Sequence, residues 1–390
     1  MSALFNLFYL YDPWFLHFFR MGIFVGALAL LFLAYQFYKK QLTQGIFIPL
    51  DSILVVLGLI IFSIVPLIIN GTKDFSVVLM YCKLLILFGF GIVIYNLFYR
   101  IKTADGKLMQ DLKFGIIVQA VFGFLALCGI QMIIDFTLST NVVLPRFYGS
   151  EQEYRLSIVT SSAFFQLSIF YLMLLHFVLA YNEKENTISS FYIFLILFIG
   201  VISGRTFFTF SVLSILLYFK LRYIPVLILF GGIVLVLAKF YPEHPYVAHA
   251  LEPVINILNG GESLSSSTDT LMNKHLFLPE IKQFIMGDGY YFTETRRYYG
   301  GTDSGFLRQI LYGGALYSLV CFLFTAFFIR KIALHWFAGS WKFTLSALFI
   351  LSVLNIKADA YAFPGIMMIF LMFLSLFGAQ GKNIILFKQG

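Results

Sequence analysis

Apolar runs long enough to cross a bilayer recur from one end of the chain to the other, and polar residues gather between them. About 20 residues, at about 1.5 Å rise per residue, cross the hydrocarbon core. On that measure eleven segments read as spans: 16–37, 46–69, 75–98, 114–136, 161–181, 188–203, 206–219, 223–240, 305–329, 343–357 and 360–379. The sixth, seventh and tenth are short, and 188–219 also reads as one broken hairpin around Ser203-Gly204-Arg205-Thr206. Residues 3–11 are apolar enough for an interfacial helix or a twelfth span. The pattern predicts an all-α, polytopic integral membrane protein, with residues 1–390 forming one membrane-embedded domain. The short alternating segments of a transmembrane β-barrel are absent from the pattern.

The largest polar interruption runs over 240–303, with a smaller one at 137–160. Pro242, Pro245, Pro253 and Pro279, together with Gly260-Gly261 and Ser265-Ser266-Ser267, mark the larger one as a punctuated loop rather than a tail. Within it, residues 275–285 predict a short amphipathic helix lying on the membrane.

Composition fits this class. Charged residues are 12% of the chain, against about 25% in soluble domains. The formal net charge of +8 would suggest nucleic acid in a soluble protein. Here the basic residues flank the apolar runs. Lys39, Lys40, Arg100, Lys102, Lys107, Lys113, Lys184, Lys220, Arg222, Arg330, Lys331, Lys342, Lys382 and Lys388 all fall on one side if eleven spans alternate. That side is cytoplasmic by the positive-inside rule, which places both long loops and the N-terminus outside. No cleavable leader is read at the start, so the first span is expected to stay. Cys82, Cys128 and Cys321 sit in apolar runs without metal-ligand spacing and read as packed small residues.

The candidate chemistry lies on the outer side. Arg205 interrupts a nearly uncharged stretch, and a guanidinium fork fits phosphate or carboxylate. The plain alternative is an arginine snorkelling to the interface or pairing with a structural acid. Arg308 follows Asp303 by five residues at the start of the ninth span, where the positive dipole end favours an anion. Ser304 or Asp303 is placed to cap that helix, and Asp303 is also placed to pair with Arg308. Arg296 and Arg297 are diphosphate contacts or a solvated loop pair. Arg146, Arg155, Tyr148 and Tyr154 in the smaller loop combine rings and cations, which suits either sugar or an interfacial anchor. Glu294, Tyr298 and Tyr299 extend that set. Asp303, Glu294, Asp288, Glu280 and His275 are candidate bases, with Glu252 and His249 weaker, and Lys357 and Asp359 mark an outer helix end. No zinc signature, P-loop or dinucleotide glycine pattern is present.

Three short stretches, in order, resemble the bacterial O-antigen and capsular polysaccharide polymerases, the Wzy family. They are Ser203-Gly204-Arg205-Thr206, then Phe284-Ile285-Met286-Gly287-Asp288-Gly289, and Asp303-Ser304-Gly305-Phe306-Leu307-Arg308 continuing to Gly313-Gly314. The layout of many spans with one late external loop extends the likeness over most of the chain. The resemblance implies a polymerase of the inner membrane, its site facing the periplasm. It would transfer a growing glycan from undecaprenyl diphosphate to a lipid-linked oligosaccharide repeat. It further implies no metal and no nucleotide sugar, with membrane lipid and the pathway's flippase and chain-length regulator as partners. On this likeness Arg205 and Arg308 bind and stabilise the leaving diphosphate, an effect worth on the order of 2–4 kcal/mol per contact, and Asp303 or a nearby acid activates the acceptor hydroxyl. The related O-antigen ligases resemble a pattern with His near the start of the late helix. Here Asp303 stands in that neighbourhood, which favours a polymerase, and His275 lies far upstream. The competing classes are a ligase-like transferase, a flippase or other secondary transporter, and a non-enzymatic scaffold. No inverted repeat supports the transporter.

Overall fold

The structure is a computed structural model that describes residues 1–15, 18–42, 44–101, 103–141, 158–260, 269–295, 297–378 and 381–387. Helix dominates. In chain order the helices are α1 (Ser2–Tyr11), α2 (Met21–Tyr38), α3 (Leu50–Asn70), α4 (Ser76–Phe98), α5 (Ala104–Leu127), α6 (Gln131–Ser139) and α7 (Phe164–Glu185). They continue as α8 (Ser190–Ser203), α9 (Arg205–Leu217), α10 (Ile224–Phe240), α11 (Pro245–Ala250), α12 (Glu252–Leu258) and α13 (Ile281–Met286). The last three are α14 (Gly305–Trp336), α15 (Trp341–Lys357) and α16 (Ile366–Leu374). Two small antiparallel pairs accompany them, β1 (Trp14–Phe15) with β2 (Phe19–Arg20), and β3 (Ile46–Pro49) with β4 (Asn383–Leu386).

Among the described residues seven helical segments are long and apolar enough to cross a membrane: α2, α3, α4, α5, α7, the segment Leu221–Phe240 that contains α10, and α14. The helices α8 and α9 are apolar but shorter. The chain is a mostly helical, membrane-embedded protein. In hydrocarbon a helix satisfies every internal backbone group, which explains why unpatterned apolar runs fold this way.

The ends of the elements differ from the sequence expectation where polar side chains intervene. The first long helix starts at Met21 rather than 16, because Asp12 turns the chain in a left-handed conformation. Its carboxylate accepts from the Gly22 amide at 2.8 Å and pairs with Arg20. Helix α5 begins ten residues before the expected 114, at Ala104. Its acid Asp111 is buried and accepts from the Tyr99 hydroxyl at 2.5 Å, so the charge does not interrupt the helix. The expected helix over 275–285 is a correction. Residues 276–280 are not helical, and α13 covers only Ile281–Met286. Pro279 disfavours helix in the residue before it, and Glu280 opens α13 through a capping box with Gln283. Among the described residues of the last expected span, 360–379, only the nine-residue α16 is helical.

The chain forms two compact units. One comprises Met1–Phe32, Val93–Ser265 and Gly365–Phe370. At its centre α7 is buried on nearly all sides, with α8 and α9 against it. The expected break at Ser203-Gly204-Arg205 is present, and α9 folds back so that the Phe207 ring lies on Gly200 of α8. The other comprises Leu33–Ile92, Ser266–Pro364 and Leu371–Gly390. There α14 packs with α3, α13 and α15.

Helix α14 is kinked at Gly313 and Gly314, where helical dihedrals fail. The kink frees the carbonyls of Leu311 and Tyr312, and these accept from the Asp288 and Gly289 amides at 2.7 and 3.0 Å. Two stretches that carry the family resemblance therefore meet main chain to main chain. Gly314 (φ 77°, ψ 179°) and Gly287 (φ 70°, ψ −173°) occupy a region essentially closed to other residues. A Cβ on Gly314 would strike the Ile285 carbonyl, and one on Gly287 would strike the Tyr312 main chain. Gly314→Ala is expected to destabilise this unit by about 1–3 kcal/mol from backbone strain alone. Thermal melting of purified protein in detergent checks this, with Gly232→Ala, which meets nothing, as the control.

Candidate active site

The last part of the long polar segment folds over the start of α14. Thr302 organises the approach. Its hydroxyl donates to the His275 carbonyl at 2.6 Å and accepts from the Ser304 amide at 3.0 Å. Ser304 occupies the N-cap position but makes no side-chain cap bond, so that expected role is corrected. Asp303 does not cap either; its side chain turns to Arg308.

Arg308 lies one turn into α14, 5% exposed. Its Nη2 donates to Asp303 Oδ1 at 2.9 Å, Nη1 to Asp359 Oδ2 at 2.7 Å, and Nε to the Thr302 carbonyl at 3.0 Å. The guanidinium carbon stands 3.2 Å over the Tyr298 ring. Asp359, in the turn between α15 and α16, is 2% exposed and also accepts from the Tyr291 hydroxyl at 2.5 Å. Burial, together with the charge of Asp359, pushes the Tyr291 phenol well above its ordinary pKa, so it remains a donor. Arg308 is thus matched by two carboxylates and stacked on a ring. That arrangement fits a residue that positions Asp303 rather than one presented bare to an anion.

Asp303 is different. Its side chain is 55% exposed, and Oδ2 lies 3.5 Å from His275 Nε2. His275 Nδ1 is 3.2 Å from the Asp303 amide and 3.1 Å from the Gly301 carbonyl. A neutral ring accepts from that amide, and an imidazolium donates to that carbonyl. In both states Nε2 carries a proton facing Asp303. The carboxylate therefore sits between two donors and still opens to solvent, which is what a proton acceptor for a bound hydroxyl requires.

The other candidate acids divide cleanly. Glu280 is used in the cap of α13. Asp288 accepts from Gln283 Nε2 at 2.8 Å and the Tyr299 hydroxyl at 3.1 Å. Glu252 pairs with Arg205, so Arg205 also has a carboxylate partner. Arg205 belongs to the first unit and the Asp303–Arg308 cluster to the second. Arg297 is exposed on a hairpin turn. Arg146, Tyr148, Tyr154, Arg155 and Arg296 lie outside the described residues, as does the side chain of His249.

Residues 290–295 and 297–299 belong to that hairpin, bridged at Phe292 and Tyr298. Tyr291 and Tyr298 serve the Arg308–Asp359 cluster. Tyr290, Phe292, Glu294 and Tyr299 line an open cleft of about 980 Å³, whose other wall is the α3–α4 loop with Lys73 and Asp74. Asp74 clamps loop to hairpin, accepting from the Tyr291 and Phe292 amides at 2.8 and 3.1 Å and from the Ser76 amide at 3.1 Å. Burial alone would raise its pKa, but the Ser76 and main-chain hydrogen bonds outweigh burial and hold it below the ordinary 3.8. A depressed carboxylate stabilises the fold above its unfolded value and loses that contribution as pH falls through its folded value. The clamp is therefore expected to hold from neutral pH down to about pH 4 and to release below it. Hydrogen exchange at the Tyr291 and Phe292 amides, at pH 7 and pH 3, reads this directly. Asp74→Ala is expected to expose the same amides at pH 7, at a cost of about 1–3 kcal/mol.

The sequence singled out Asp303, Arg308, Tyr298 and Tyr299 and missed the roles of Asp359, Tyr291 and Asp74 and the place of Lys73 in the cleft wall. The signal for Asp359 was present, as an acid in a short gap between two apolar runs. Comparison with protein-family models, with curated proteins and with solved structures finds no match to this chain.

Proposed function

We propose that this chain is a membrane glycosyltransferase that joins oligosaccharide repeats carried on undecaprenyl diphosphate. In this reading it crosses the bacterial inner membrane eleven times, with its basic loops in the cytoplasm and the site facing the periplasm. The observation that carries it is Asp303, an exposed carboxylate held at the start of a membrane helix between a buried arginine and an imidazole. Asp303 takes the proton of the acceptor sugar's hydroxyl. The oxygen bonds to the anomeric carbon of the donor, and the bond from that carbon to the diphosphate breaks, its electron pair leaving with undecaprenyl diphosphate. Arg308 positions Asp303. Arg297 is the cation beside the leaving diphosphate, where preorganised charge lowers the barrier, and the His275 Nε2–H faces Asp303 from its other side. Arg205 enters this reading through its guanidinium chemistry and the resemblance; it belongs to the other unit and pairs with Glu252.

Purified protein in lipid, supplied only with its lipid-linked repeat, is expected to produce a ladder of longer glycans without nucleotide sugar. Absence of extension with active substrate sinks the reading. The nearness of His275 to Asp303 favours a second one. The imidazole that the ligase resemblance places near the late helix here comes from an upstream helical turn, Leu271–His275. A ligase-like enzyme would move a finished chain to a different acceptor, and product analysis separates the two.

A further inference from the structure

The cleft between the α3–α4 loop and the 290–299 hairpin has no part in the proton transfer described above. Its volume of about 980 Å³ stands at the upper end of the range of about 300–1,000 Å³ for small-molecule clefts, room for several linked sugars rather than one. Its walls are aromatic. The Tyr290 and Tyr299 rings lie 5.6 Å apart at 33°, and the Phe292 ring stacks on Tyr298 at 5.4 Å. Tyr290 is 42% exposed, so a ring face is open to a ligand. The C–H edges of a pyranose ring carry slight positive charge and suit the negative face of such a ring. The polar groups stand at the rim. Lys73 and Glu294 are both exposed, and neither makes an ion pair among the described residues. They offer a donor and an acceptor for hydroxyl groups.

The cleft is also built rather than incidental. Asp74 ties its two walls together by main-chain hydrogen bonds, and the Thr72 hydroxyl donates to the Gly289 carbonyl at 2.9 Å. The hairpin that forms one wall also presents Tyr291 and Tyr298 to the Arg308–Asp359 cluster. A ligand in the cleft would be held by the same hairpin that packs on the Arg308–Asp359 cluster.

We infer that this cleft binds an oligosaccharide, with Tyr290, Tyr299 and Phe292 stacking on sugar faces and Lys73 and Glu294 bonding hydroxyls. The inference rests on the glycan-transfer reading above and deepens it. The cleft holds the sugars remote from the reacting bond, so their binding energy is available to orient the acceptor.

The test uses the full chain in lipid nanodiscs. The probe is the oligosaccharide freed by mild acid from the lipid-linked fraction of native host cells. Saturation-transfer NMR is expected to show contact between the sugar protons and the wild-type protein. Tyr290→Ala/Tyr299→Ala is expected to weaken binding at least tenfold while leaving the melting temperature within a few degrees. Tyr290→Phe/Tyr299→Phe keeps the rings and is expected to retain binding. In the extension assay the alanine pair is expected to raise KM for the lipid-linked repeat more than it lowers kcat. Binding that depends on these rings, with no chain extension, keeps the cleft and removes the polymerase reading. Extension with KM unchanged in the alanine pair keeps the polymerase reading and removes the cleft. Sugar binding indifferent to all five residues overturns the inference.

Discussion

Arg308→Ala is expected to lose folded protein, not merely activity. The substitution leaves the Asp359 carboxylate, 2% exposed, without its 2.7 Å partner. Breaking a buried ion pair from one side costs about 3–5 kcal/mol, because the remaining charge stays desolvated. That is a large part of a typical stability of about 5–15 kcal/mol. The Tyr298 ring loses its cation in the same step. Size-exclusion profiles and thermal melting in detergent read the effect. Arg308→Ala/Asp359→Asn removes the stranded charge and is expected to recover much of the lost melting temperature. A single Arg308→Ala protein that melts like the wild type, yet cannot extend glycans, would instead mean that the guanidinium works on substrate.

Asp303→Asn is expected to behave oppositely. The side chain is more than half exposed, and asparagine keeps an oxygen to accept from Arg308 at the position now 2.9 Å away. Stability should hardly move. Removing a positioned general base typically lowers a rate by about 10²–10⁴-fold, so glycan extension should fall by that factor. Melting and extension measured on the same preparation separate the two substitutions. If Asp303→Asn retained full extension, the proton would be going elsewhere, and Glu294 would be the next acid to replace. His275→Gln is expected to cost less than Asp303→Asn, since the imidazole flanks the carboxylate rather than taking the proton.

Seven of the eleven expected spans correspond to long apolar helices among the described residues, and these were legible because a lipid environment selects by composition over about 20 residues, a signal that needs no tertiary context. Their ends were less so. Asp12 and Asp111 look like helix breakers in an apolar chain until their partners are known: Gly22 and Arg20 for one, Tyr99 for the other. The short helix α13 was misjudged at its start because Pro279 acts on the residue before it while the surrounding residues keep an apolar pattern.

The candidate site divides in the same way. Asp303 and Arg308 are five residues apart across a helix start, so their pairing was among the sequence expectations. Asp359 reaches Arg308 over 51 residues, and His275 meets Asp303 over 28. Such separations are set by packing, and a single sequence carries no trace of them. Glu280 and Asp288 looked equivalent to Asp303 as candidate bases. What separates them is hydrogen bonding inside a loop, which composition does not encode.

The union of the 284–289 stretch with the kink of α14 bears on how such a protein diversifies. The joint consists of amides, carbonyls and two glycines, so it asks little of the side chains around it. Mutations at the rim of the neighbouring cleft leave the joint untouched. On the glycan-transfer reading proposed above, a lineage can therefore retune Lys73, Tyr290 or Glu294 toward a different sugar chain while the scaffold that presents them stays in register.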